Sequence, residues 1–330
     1  MPFYQPFPNA YFIPATGVQF GFSASGYSGA DPTRLINLGA LLDVDRPNAI
    51  DIDGYDDGFR IDNHGSVVGG TALWAYASKV EFNNYGDVTG DFYLLSSPLR
   101  FDNYGSFNGR IKISEDSYGT RLGLINYGHM SNPDGAYIMS GSDSLRDWVS
   151  NYGVIEGDIH TNGGHDSISA IEGTIDGNIY FGRGQDLYQG SQGEVTGTIY
   201  GGAGDDQMRG GRADDRIMGG AGSDRIDGNE GNDRLNGGAH YDEIEGGAGR
   251  DTFVFYKGDD MEFIKDFENN IDTLELDESI WGGGLTPAQV LERFATSENG
   301  NTELRFGDGD RILLAGVEDY QLLANDIVLV

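Results

Sequence analysis

The sequence predicts an all-β chain: a parallel β-solenoid with coils of about 20 residues, running into a tighter β-roll of nine-residue units, with a β-rich C-terminal cap. Three observations carry this. Glycine makes up 53 of 330 residues, a proportion that would signal disorder if 38% hydrophobic and 12% aromatic residues did not supply a core. A tripeptide returns about every 20 residues through the first half of the chain, and a nonapeptide then repeats six times without a break. The boundaries follow: residues 1–60 as an N-terminal cap and first coil, 61–200 as coil repeats, 201–254 as the roll, and 255–330 as the C-terminal cap.

In the first repeat, Asn-Tyr-Gly recurs at 84–86, 103–105, 126–128 and 151–153, preceded by Asn63-His64-Gly65; later units keep only Gly173 and Gly193. Short alternating apolar stretches separate these turns, as in Val154-Ile155-Glu156. Each coil is too small to fold alone and must bury its inward residues on its neighbours. In-register stacking aligns Asn63, Asn84, Asn103, Asn126 and Asn151 in one ladder and Tyr85, Tyr104, Tyr127 and Tyr152 in another. Such ladders serve structure, although a row of tyrosines also suits sugar rings.

The nonapeptides begin at Gly201, Gly210, Gly219, Gly228, Gly237 and Gly246. Against the pattern G-G-x-G-x-D-x-U-x, with U a large apolar residue, the misses are Ala213, Asn229 and His240. Degenerate copies surround Asp166 and Asp186. These six tandem units resemble the RTX, or haemolysin-type, calcium-binding repeat family, strongly over 201–254 and weakly over 161–189. The resemblance implies a right-handed parallel β-roll with two units per turn and calcium ions in the turns. The first six residues of each unit would then form a turn and the last three a strand. Met208, Ile217, Ile226, Leu235, Ile244 and Phe253 would point inward. Asp206, Asp215, Asp224, Asp233, Asp242 and Asp251 would supply charged ligands, joined by Asp166 and Asp186. Gly202, Gly204, Gly211, Gly220, Gly222, Gly231, Gly238, Gly247 and Gly249 would let turn carbonyls converge on the ion. Units on one side lie 18 residues apart, pairing 206 with 224, 215 with 233, 224 with 242, and 233 with 251, for about four sites. The weakest is expected at the fifth unit, where His240 and Tyr241 intrude. If each site binds with a dissociation constant on the order of 10⁻⁴ M, millimolar calcium stabilises the fold by about 1.4 kcal/mol per site.

Beyond the roll, 251–255, 264–267 and 272–276 read as strands. A helix is expected from Thr286 with Pro287 at its first position, and a hairpin around Gly307-Asp308-Gly309. This stretch resembles the segment that follows RTX repeats in serralysin-type secreted proteins. The ending Asp326-Ile-Val-Leu-Val330 resembles the uncleaved signal of type I secretion substrates. Met1 to Thr33 holds no Lys or Arg, unlike a secretory signal peptide. Together these imply a secreted, extracellular protein with the type I secretion machinery as a partner, as expected of a Gram-negative source.

A formal charge of −32 excludes ordinary nucleic-acid binding, the absence of cysteine excludes disulfide scaffolds, and no segment is apolar enough to span a membrane. The catalytic search gives little. There is no H-E-x-x-H, Gly21-Phe-Ser23-Ala-Ser25 is one glycine short of a nucleophile elbow, and His64, His160 and His165 sit at turns or in a ladder. Asp43, Asp45, Asp51, Asp53, Asp56 and Asp57 crowd one stretch without EF-hand spacing. Arg60, Lys79, Arg100, Arg121 and Arg146 recur once per coil, and strand alternation puts them on one face. They either pair with acids such as Glu81 and Asp102 or bind an acidic polysaccharide or cell surface. The sequence thus favours a non-enzymatic surface, matrix or adhesion module; the alternative is a uronate lyase or C5-epimerase on the β-helix face.

Overall fold

The computed structural model describes residues 10–13, 18–20, 22–25, 33–42, 48–55, 58–77, 79–95, 98–113, 121–132, 138–139 and 145–330. It is nearly all β and divides into two compact units, residues 1–177 and 178–330.

The first unit is a parallel solenoid. One face stacks Thr33–Asn37, Phe59–Asn63, Val80–Asn84, Leu99–Asn103, Leu122–Asn126, Trp148–Asn151 and Ser167–Ala170, each parallel to the next. Thr33–Asn37 and Ala10–Ile13, within the segment expected to act as a cap, lie in the same register. A second face stacks Ala40–Leu42, Ser66–Ala77, Asp87–Leu94, Ser106–Asn108, His129–Ser131, Val154–Glu156 and Thr174–Asp176. Alternation turns Ile61, Phe82, Phe101, Leu124 and Val149 inward against Val67, Val88, Phe107, Met130 and Ile155, and all are buried. Burial of this continuous column drives each coil onto the next.

The corner explains the tripeptide. Asn37, Asn63, Asn84, Asn103, Asn126 and Asn151 are wholly buried, and each Nδ2 before the last donates to Oδ1 of the next at 2.7 to 2.9 Å. The expected ladder therefore begins one coil earlier, at Asn37. The tyrosine rings stack outside with centroids 4.9, 5.0 and 4.6 Å apart, and His64 stacks on Tyr85 at 4.6 Å. A Cβ on Gly105 would lie 2.0 Å from the Gly86 carbonyl oxygen, so close approach of successive backbones fixes the glycine.

In the second unit the coil shortens. Tyr180 pairs with Tyr200, 20 residues on, and Tyr200 with Met218, 18 residues on. Nine-residue units then alternate between two parallel faces. Ile199–Ala203, Arg216–Ala221, Arg234–Ala239 and Thr252–Phe255 form one; Gln207–Arg209, Arg225–Asp227 and Tyr241–Glu245 form the other. Met208, Ile217, Ile226, Leu235, Ile244 and Phe253 are all buried between them. The C-terminal segment continues both faces. Thr273–Leu276 and then Ile327–Leu329 extend the first, and Met261–Ile264 and then Arg311–Leu314 extend the second. The middle strand expected at 264–267 thus lies three residues earlier, where Glu262 can follow Asp242 in register. The helix is Pro287–Phe294, capped by Thr286 in a capping box with Gln289, and Val290 and Leu291 are buried. The hairpin joins Asn301–Arg305 to Arg311–Leu314.

Candidate metal sites along the roll

The turns of the roll depend on left-handed backbone at the second and fourth positions in five of the six units. Gly202 and Gly204 have φ of 106° and 131°, and Gly220, Gly222, Gly231, Gly238, Gly247 and Gly249 are similar. Asn229 (72°) and His240 (95°) hold the same conformation without being glycine. Gly211 and its fourth-position partner Ala213 do not adopt it. The turn of the second nonapeptide, 210–218, therefore departs from the rest, whereas His240 in the fifth keeps the common conformation.

These turns hold the aspartates in two ladders. In one, the amides of Asp186, Asp206 and Asp224 donate to Oδ1 of Asp206, Asp224 and Asp242 at 2.8, 2.8 and 2.7 Å. In the other, the amides of Asp215, Asp233 and Asp251 donate to Oδ1 of Asp233, Asp251 and Asp272 at 2.8, 2.9 and 3.0 Å. All four pairs expected from the spacing are thus brought together, and Asp186 joins the first ladder. In the first unit, the Asp147 amide donates to Oδ1 of Asp166 at 2.7 Å in the same manner.

The second carboxylate oxygen decides what the ladders can do. Oδ2 of Asp206, Asp224, Asp233, Asp242 and Asp251 is buried with no hydrogen-bond partner among the described residues. Each faces the first glycine of its own unit. A Cβ on Gly201, Gly219, Gly228, Gly237 or Gly246 would lie 2.2 to 2.5 Å from that oxygen. Asp215 differs, because its Oδ2 accepts from the Gly211 amide at 2.8 Å. Burial, with neighbouring aspartates adding to it, pushes the Asp206 carboxyl up to about 8 and those of Asp233 and Asp242 to about 7. Burial also takes Asp215 and Asp224 to about 6. Buried, unpartnered carboxylate oxygens are costly unless a cation or proton meets them. Calcium fits this donor set, since it accepts hard oxygens in tolerant geometry and would find the carbonyl oxygens of Gly219, Gly237 and Gly246 beside the carboxylates of Asp206, Asp224 and Asp233. Among the described residues no three His, Asp or Glu side chains gather as they would in a site built from side chains alone.

Two carboxylates that the repeat pattern did not single out stand at the downstream ends of the ladders. Asp272 accepts from the Asp251 and Glu268 amides, at 3.0 and 2.8 Å. Glu262 is 1% exposed. Its Oε1 accepts from the amides of Gly237 and Gly238, while Oε2 has no hydrogen-bond partner among the described residues. A Cβ on Gly237 would meet Oε2 of Glu262 at 2.6 Å and Oδ2 of Asp242 at 2.5 Å, so the two oxygens converge there. Burial, then the charge of Asp242, raises the Glu262 carboxyl well above its usual range. Register arithmetic from Asp242, at the 20-residue period, would have found it.

Arg34 and the five bases that recur once per coil share one outward face in two rows. Register aligns Arg34, Arg60, Glu81, Arg100, Gly123 and Trp148. Lys79, Arg121 and Arg146 stand two residues earlier, in the adjacent row. Asp62 takes ion pairs from both Arg34 and Arg60, Glu81 pairs with Lys79, and Asp102 pairs with Arg100. Arg146 donates to the His165 carbonyl at 2.9 Å, and Arg121 has no ion-pair partner among the described residues. Within the expected aspartate cluster, Asp43, Asp45, Asp56 and Asp57 lie outside the described residues, as does Gly21 of the near-elbow.

A parallel roll with carboxylate ladders and left-handed glycine turns defines the class: a β-solenoid bearing calcium-binding repeats. Residues 196–226, 209–239 and 227–262 match the RTX calcium-binding nonapeptide repeat (four copies), so the chain carries this repeat across the roll. A search of curated proteins returned no match. Sixteen chains of solved structures match. One is the AlgE6R3 subunit of the mannuronan C5-epimerase of Azotobacter vinelandii, at 28% identity over 38% of this chain and 78% of that one, with a TM-score of 0.31. Another is the extracellular lipase LipA of Serratia marcescens, at 14% identity over 62% and 45%, with a TM-score of 0.32.

Proposed function

We propose that this protein is exported and that its roll folds on extracellular calcium, giving a non-enzymatic surface, matrix or adhesion module. The observation that carries the reading is the row of buried Oδ2 atoms on Asp206, Asp224, Asp233, Asp242 and Asp251. A chain of formal charge −32 gains nothing by burying like charges in register unless cations separate them. Cytosolic calcium is too scarce to fill modest sites, so the chain remains loose before export and closes outside. No helix among the described residues is long and apolar enough to cross a membrane. The test is a calcium titration of the full chain, followed by circular dichroism and by bound-metal analysis. Saturable gain of β structure with several ions per chain is expected. Full β structure in excess chelator would refute the reading.

A further inference from the structure

The outward face that carries the two basic rows also carries a groove. About 380 Å³ in volume, it is lined by Lys79, Pro98, Arg100, Arg121, Gly123 and Trp148, and its size suits a small-ligand subsite. Its floor is aromatic because of a glycine. Gly123 and Trp148 are register partners, and a Cβ on Gly123 would lie 2.6 Å from Cε2 and Cζ2 of the indole. The ring therefore lies across Gly123, half-buried, and lines the groove.

The walls are cationic. Lys79 and Arg100 are held along their own strands by Glu81 and Asp102, whereas Arg121 is exposed and has no ion-pair partner among the described residues. Across the described part of this face there are six bases (Arg34, Arg60, Lys79, Arg100, Arg121, Arg146) against three acids (Asp62, Glu81, Asp102). A local surplus of three positive charges stands out in a chain of net charge −32.

Spacing selects the ligand. Coils repeat every 4.6 to 5.0 Å by the tyrosine stack, so Lys79, Arg121 and Arg146 present charge on the scale at which an extended pyranoside chain repeats its rings. An aromatic face stacks on a sugar ring, and a guanidinium fork receives a carboxylate bidentately. We propose that this groove binds an anionic polysaccharide of the polyuronate class, one ring on Trp148 and its carboxylate on Arg121. The chain runs along the first unit's axis toward Lys79 on one side and Arg146 on the other.

The test titrates the calcium-loaded full chain with short oligouronates, reading tryptophan fluorescence and calorimetry. Sulfated and neutral oligosaccharides of equal length and a single-stranded oligonucleotide serve as comparators. Saturable oligouronate binding that weakens with added salt is expected, with the other probes weaker. Arg121→Ala and Trp148→Ala should each reduce affinity about tenfold, and Trp148→Phe less, while all three keep the wild-type calcium response in circular dichroism. A chain that binds oligouronate without a calcium response defeats the reading of the roll and leaves the groove standing; the converse defeats the groove alone. No saturable binding, tighter binding of any comparator, or variants that bind as wild type would overturn the proposal.

Discussion

The backbone amide of Asp224 donates to Oδ1 of Asp242 at 2.7 Å, one turn further along the roll, and Oδ2 of that same carboxylate is left buried without a hydrogen bond among the described residues. One oxygen fixes the position of the side chain and the other is left for a cation.

Asp224→Asn keeps an oxygen for the Asp206 amide but replaces charge with an amide at the ion-facing position. The calcium midpoint for folding should rise about tenfold, equivalent to ~1.4 kcal/mol. Asp215→Asn should shift it less, because Oδ2 of Asp215 already accepts from Gly211. Calcium titrations of both variants check this, and a larger effect at Asp215 would contradict the assignment.

Gly219→Ala places a methyl group 2.3 Å from Oδ2 of Asp224. The carboxylate must move, so calcium-induced folding should weaken at least as much as in Asp224→Asn. Gly307→Ala is the comparison. Nothing lies within 4 Å of its Cβ, and its stability should stay within about 1 kcal/mol of wild type. Equal melting shifts in calcium for the two would remove the first glycine's assigned role.

Glu262→Gln preserves an acceptor for Gly237 and Gly238 while removing one of two buried charges that converge beside Gly237. Opposite signs are expected in the two states. In chelator the variant should be more stable than wild type, because an uncompensated buried charge is gone. In saturating calcium it should bind fewer ions or bind them more weakly. Loss of stability under both conditions would show that Glu262 is a packing residue only.

Asp62 tests the first unit. Burial alone would raise its carboxyl, but hydrogen bonds from Arg60, Asn83 and Arg34 outweigh that and hold it below the ordinary value. A depressed folded value means stability present in full above the unfolded carboxylate range, near pH 4, and lost as pH falls through the lower folded value. Asp62→Asn should therefore cost about 1 to 3 kcal/mol at pH 7, the gap to wild type closing on acidification. Denaturant unfolding at a series of pH values measures it; a widening gap would contradict the ion-pair account.

Much of this was legible in the sequence wherever period and chemistry coincided. Asn-Tyr-Gly at coil spacing gave the ladders, and six aspartates nine residues apart gave the four pairs that the backbone amides now join. Legibility failed where a position acts through register alone. Asn37 is followed by Leu38 and Gly39, so the tripeptide search passed over it. Glu262 and Asp272 lie beyond the nonapeptides, where the coil length returns to about 20 residues and a glutamate takes an aspartate's place. The first glycine of each unit looked like one more turn residue, although what it provides is room for its own aspartate. Gly211 kept its identity but lost the left-handed turn, and nothing at that position announces the change.

The carboxylate ladders also have a direction. The amides of Asp186, Asp206, Asp215, Asp224, Asp233 and Asp251 are each answered by the side chain of a residue nearer the C-terminus, ending at Asp242 in one ladder and at Asp272 in the other. The asparagine ladder of the first unit donates in the same sense, from Asn37 toward Asn151. Each ladder is thus a one-way zipper whose teeth are completed from the downstream side. Trimming such a zipper from its upstream end leaves each remaining donor with its partner, whereas trimming from the downstream end strands a fresh donor at each step. Tolerance to shortening is therefore unequal at the two ends, a polarity written into the side chains of a fold whose backbone repeats almost identically from coil to coil.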